Sequence, residues 1–90
     1  MSRPTSPGDL IRFALEAQGV TQARLAAHTG LSLTHLNAIV NNRARVTVLQ
    51  AAHLASTLDI GVEGLLNAQR DVDVWNLRHM ALPERMKETL

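Results

Sequence analysis

Apolar residues recur at helical spacing along this chain, in short blocks separated by single glycines and polar turns. Spacings of three and four residues keep side chains on one face of an α-helix. Leu10, Ile11, Ala14 and Leu15, joined by Phe13, form the first such face and predict a helix over Asp9–Gln18, ended by Gly19. Thr21 is placed to cap a second helix, Thr21–Thr29, whose apolar face is Leu25 and Ala26. Gly30 falls where that helix must stop, and a residue without a Cβ turns there at no steric cost. Leu31 follows as a lone apolar residue. Ser32 then caps a third helix, Leu33–Val40, with Leu36, Ile39 and Val40 on its buried face.

The segment Asn41–Val46 reads as a turn, because asparagine visits left-handed backbone more readily than other residues with a side chain. Thr47 caps a fourth helix, Val48–Leu58, with Leu49, Ala52, Ala55 and Leu58 expected inward and Ala51 and Leu54 beside them. Asp59–Gly61 breaks the pattern. A fifth helix starts near Val62, turns Leu65 and Leu66 to the core, and runs to Asn67 or on through Gln69, Val72 and Trp75. Leu77–Leu82 extends it or opens another helix, Pro83 interrupts, and Glu84–Thr89 is a charged tail. The expected fold is all-α: an arm over residues 1–8, a five-helix domain over 9–75 and a C-terminal helical extension or tail over 76–90. Met1–Pro7 is expected to be frayed.

Helix, glycine turn, apolar wedge, cap and second helix make up the layout of a helix-turn-helix, in which the second helix enters the DNA major groove. The presumed outer face of Leu33–Val40 carries Thr34, His35, Asn37 and Ala38, followed by Asn41. Short polar groups and methyls suit base edges and phosphate oxygens. Arg43 and Arg45 lie just beyond, where a duplex backbone would run, and are the phosphate candidates.

The formal net charge is +1, but its distribution is uneven. No Asp or Glu occurs between Glu16 and Asp59, a stretch holding Arg24, Arg43 and Arg45 with His28, His35 and His53. From Asp59 onward acidic residues outnumber basic ones. Phosphate neutralisation needs the first region, and a protein contact can use the second.

With 46% hydrophobic but 2% aromatic residues, the core must be aliphatic. Ninety residues form one domain that is marginal as a monomer, and dimerisation is a common remedy. Without cysteine there is no disulfide, thiol nucleophile or thiolate metal site. No apolar run approaches a membrane span and Met1–Asp9 lacks a signal-peptide core, so a cytoplasmic protein is expected. His28, His35, His53 and His79 lack metal-ligand spacing, and neither a nucleophile elbow nor a Gly-rich phosphate loop is present. No metal, cofactor or enzymatic activity is expected.

Thr21-Gln22, Leu25-Ala26, Gly30, Ser32, Leu36 and Ile39 resemble the helix-turn-helix of the Cro/C1 (XRE) repressors. The flanks narrow the likeness. Pro7-Gly8-Asp9-Leu10 resembles the PGE-type opening of HigA-type antitoxins. Asn37 to Val46, then Thr47, Ala51, Leu54, Ala55 and Leu58, resembles their passage from recognition helix to fourth helix. Glu63, Leu66-Asn67, Gln69, Asp73 and Trp75 resemble the segment that follows. Departures fall at Gly64-Leu65, where that family has Phe-Trp, at Val72 for its Tyr, and at Asn42 and Asp59 for two of its glycines.

The resemblance implies a dimer that binds a palindromic operator in its own promoter and neutralises a toxin, usually a RelE-like mRNA-cleaving RNase. It assigns Gln22 to a phosphate, which suits a helix N-terminus. It places Ser32, Thr34, His35 and Asn37 towards the groove, with Leu33 and Ala38 offered to thymine methyls. Dimerisation is expected through the fifth helix, at Leu66, Val72 and Trp75. Two alternatives share the fold: a stand-alone repressor with no toxin, and a protein-interaction module that does not touch DNA.

Overall fold

The computed structural model describes residues 3–80, and five helices account for most of them: α1 Pro7–Gln18, α2 Gln22–Thr29, α3 Leu33–Val40, α4 Val48–Leu58 and α5 Val62–Arg78. No strand occurs among the described residues. The fold is the all-α, five-helix Cro/C1 type. α1 packs against α3, α4 and α5, while α2 packs against α3 and α4. One core joins them, built from Ile11, Leu15, Leu25, Leu36, Ile39, Val40, Val46, Leu54, Leu58 and Leu65 with small alanines between. α1 to α4 have 8 to 12 residues and are too short to be stable alone in water, so burial of these faces holds them.

The helix ends are written into local chemistry. Thr21, Ser32 and Thr47 stand in extended backbone, and their hydroxyls accept from the amides of Arg24, His35 and Gln50. Three helices close with paired bonds across a left-handed residue. Val20 N–H donates to Leu15 O and Gly19 N–H to Glu16 O; Arg43 and Asn42 repeat this on Ala38 and Ile39; Ile60 and Asp59 repeat it on Ala55 and Ser56. Gly19, Asn42 and Asp59 have φ of 66°, 62° and 55°. Asparagine and aspartate thus do the work of glycine at two of the three closures.

Three expectations are corrected. α1 begins at Pro7, because Ser6 caps it: Asp9 N–H donates to Ser6 Oγ at 3.1 Å and Ser6 N–H donates to the Asp9 carboxylate at 3.1 Å. Ser6, Pro7 and Gly8 are therefore buried, not part of a frayed arm. Phe13 is 53% exposed on the outer side of α1, beneath the Arg12 guanidinium. On α4 the buried residues are Ala51, Leu54, Ala55 and Leu58, whereas Leu49 and Ala52 face solvent. α5 is one continuous helix through Trp75 to Arg78. Residues 81–90, with Pro83 and the charged tail, lie outside the described residues.

Candidate nucleic-acid interface

α2 and α3 meet through the Gly30 turn, at φ 77°, and Leu31 packs on the core from between them. Leu36, Ile39 and Val40 bury one side of α3 completely. That leaves Ser32, Leu33, Thr34 and Asn37 exposed on the other side, continued by Asn41. The exposed side is short, uncharged and rich in hydrogen-bonding groups.

The candidate residues fall into a line. Gln22, at the first position of α2, accepts through Oε1 from Asn37 Nδ2 at 3.2 Å. Asn41 Nδ2 donates to Asn37 O at 2.9 Å and to Asn37 Oδ1 at 3.1 Å. The start of α2 is thereby joined to the middle and end of α3. Leu33, Thr34, Asn37, Ala38 and Arg43 line one shallow depression beside it. Arg43 is drawn in by its own backbone, since its N–H donates to Ala38 O at 2.8 Å. The N-termini of α2 and α4 both leave backbone amides available to an anion.

Two candidates are placed differently. His35 is half-buried, and its Nε2 lies 3.1 Å from Gln50 Nε2 on α4. Gln50 Oε1 already accepts from Thr47 N–H, so the Gln50 amide donates to the imidazole. His35 thus braces α3 against α4. Arg45 turns from α3 to α5 and pairs with Asp73. Of the two loop arginines, Arg43 stays beside α3.

On α5, Leu66 packs partly on the core and Val72 lines the cleft facing the Arg43–Arg45 loop. Trp75 stacks on His79 with ring centroids 3.9 Å apart. Among the described residues, no group of His, Asp or Glu is arranged to hold a metal ion, and no helix is long and apolar enough to cross a membrane.

The helix-turn-helix family model matches residues 11–65, from the middle of α1 to the start of α5. The chain belongs to this helix-turn-helix family. The matched span contains every residue of the line from Gln22 to Arg45. The chain is 31% identical over 78 residues to the uncharacterized HTH-type transcriptional regulator YbaQ of Escherichia coli K12, covering 86% of this chain and 69% of that protein. In structure it is similar to an antidote protein of a plasmid maintenance system from Nostoc punctiforme, with a TM-score of 0.80 and 29% identity over 87% of this chain and 86% of that one. It is also similar to the antitoxin GraA, with a TM-score of 0.77 and 29% identity over 88% of each chain.

Proposed function

We propose that this protein is a DNA-binding antitoxin that represses its own operon. The observation that carries the DNA half is the exposed side of α3. It is a run of small polar and methyl-bearing side chains with no carboxylate, held in place by Gln22 from α2 and flanked by Arg43. Bases are read there by Thr34 and Asn37, with Leu33 and Ala38 against thymine methyls. Gln22, Ser32, Asn41 and Arg43 meet the phosphate backbone. His35 supports the helix from behind.

The toxin half rests on likeness to two proteins described as an antitoxin and an antidote, each at 29% identity across most of the chain. The partner proposed is a small RelE-like mRNA-cleaving toxin encoded beside this gene. The protein acts as a homodimer, so that two recognition helices reach half-sites about one helical turn apart. Its dimer surface is the outer end of α5. Val74, Leu77 and Met80 are exposed there, next to half-buried Trp75. Leu66 lies nearer the start of α5, partly packed on the core, and Val72 lines the cleft one turn before Trp75.

One experiment tests both halves. The tagged chain is co-expressed with the reading frames on either side of its gene, purified, and titrated with the DNA upstream of its own gene. Recovery of a small basic partner, growth rescue and a salt-sensitive shift support the full reading. A shift without a partner leaves a stand-alone regulator, the reading that likeness to YbaQ favours. Binding of neither DNA nor a neighbouring protein overturns the proposal.

A further inference from the structure

The loop after the recognition helix is held from a distance. Gln69 of α5 is 8% exposed, the most buried polar side chain on that helix. Its Oε1 accepts from Val46 N–H at 2.9 Å, the last residue of the loop. Its Nε2 donates to Asp73 Oδ1 at 3.0 Å, one turn further along α5. The same carboxylate oxygen accepts from Arg45 Nη1. The loop thus meets α5 at both its backbone and its side chain. Beside this bracket lies a cleft of about 240 Å³, lined among others by Arg43, Arg45, Val72 and Asn76.

We infer that Gln69 and Asp73 are positioning residues for DNA binding, and that Arg45 anchors the loop to α5 while Arg43 alone of the two meets phosphate. The inference rests on the DNA-binding reading above and departs from the expectation that both arginines are phosphate ligands. The physical reason lies in the geometry. A carboxylate already shared with Gln69 fixes the Arg45 guanidinium on the α5 side of the loop. The Arg43 backbone is held at the end of α3 by the bond from its N–H to Ala38 O, and Arg43 borders the α3 depression as well as the cleft. Of the two cations, Arg45 alone is paired with a carboxylate among the described residues. Whatever engages α5 then acts directly on the loop that flanks the recognition helix.

The test separates anchoring from phosphate contact by salt dependence. Each phosphate neutralised contributes about 0.9 to the slope of log affinity against log salt concentration. The probe is a labelled duplex spanning the sequence upstream of this gene, with a random-sequence duplex beside it. Arg43→Gln is expected to lower the slope by about 0.9. Arg45→Gln and Asp73→Asn are expected to leave the slope unchanged and each to weaken binding roughly two- to five-fold, the range of an exposed ion pair. The double variant should be no weaker than either single one, because both remove one interaction.

A slope lowered by Arg45→Gln as much as by Arg43→Gln overturns the inference. So does tighter binding by Asp73→Asn, which would mean that Asp73 withholds Arg45 from phosphate. If the unaltered protein binds neither duplex, the DNA-binding reading fails, and positioning for DNA fails with it. The bracket itself is then read without DNA from hydrogen exchange at the Val46 amide. Faster exchange in Gln69→Leu at an unchanged unfolding midpoint shows that the bracket holds the loop; unchanged exchange removes it.

Discussion

α3 and α5 both lie half in the core and half in solvent, and they differ in what they leave exposed. α3 buries Leu36, Ile39 and Val40 and shows Thr34 and Asn37. α5 buries Leu65, Ala68 and Gln69 in its first half and shows Val74 and Leu77 in its second. α5 thus hides one polar group, Gln69, and beyond the core leaves Val74 and Leu77 in water among polar neighbours. A helix whose exposed side is polar is complete in water and ready for a polar ligand. A helix that leaves leucine and valine in water beyond the core suits a protein partner.

The sharpest way to break this comparison is to truncate one leucine on each helix. Leu36→Ala opens a fully buried site in the core, and is expected to cost about 2–5 kcal/mol of stability. Leu77→Ala removes a side chain that is 60% exposed, and is expected to move stability by about 0.5 kcal/mol or less. Denaturant titration of both variants, with sedimentation of Leu77→Ala, checks the pair. A Leu77 variant that keeps its monomer stability but loses self-association supports the dimer surface. One that stays dimeric moves that surface off the end of α5.

A second test concerns what holds α3 at its far end. Gly8, in the first turn of α1, lies directly against the last turn of α3. A Cβ there would meet the carbonyl oxygens of Ile39 and Val40, the latter at 2.7 Å, and Asn42 Oδ1 at 2.8 Å. Two of the three obstacles are backbone, so the helices must separate. Gly8→Ala is expected to cost about 1–3 kcal/mol and to weaken DNA binding beyond what the lost stability explains, because the displaced element is the recognition helix. Binding measured well below the unfolding midpoint separates the two effects. Unchanged affinity there would show that α3 takes its position from α2 and α4 alone.

The sequence told α3 and α5 apart unequally. The caps at Thr21, Ser32 and Thr47 and the closures at Gly19, Gly30, Asn42 and Asp59 are local signals, set by neighbours within a turn, and they were legible. The start of α1 was also written locally. Ser6 and Asp9 have capping-box spacing with proline at the first helical position, yet Pro7-Gly8 also reads as an arm. Val48–Leu58 is apolar almost all round, so its periodicity could not say that Ala51 and Leu54 rather than Leu49 and Ala52 face inward. The line of polar groups on α3 followed from spacing. The pairing that turns Arg45 to α5 did not, because it depends on Asp73, 28 residues further along the chain. Nor could any pattern show that Gln69 is buried for the sake of Val46.

The smallest expected effect returns to the cap of α1, which supports α3 through Gly8. The Ser6 backbone N–H donates to Asp9 and holds its carboxyl below the ordinary carboxylate value. Partial burial opposes this shift; the Ser6 hydroxyl and the Arg12 guanidinium, 2.9 Å away, add to it. A group whose folded pKa is depressed stabilises the fold above its unfolded value, about 3.9 for aspartate, and that contribution is lost as pH falls through the folded value. Asp9→Asn should therefore lower stability at pH 7 by a fraction of the roughly 1 kcal/mol that a cap contributes. The difference from the unaltered protein should shrink on acidification below about pH 4. Chemical denaturation at a series of pH values checks it. A difference that persists unchanged below the folded value would mean that Asp9 acts through shape rather than charge. α1 would then hold the end of the recognition helix by packing at Gly8 alone.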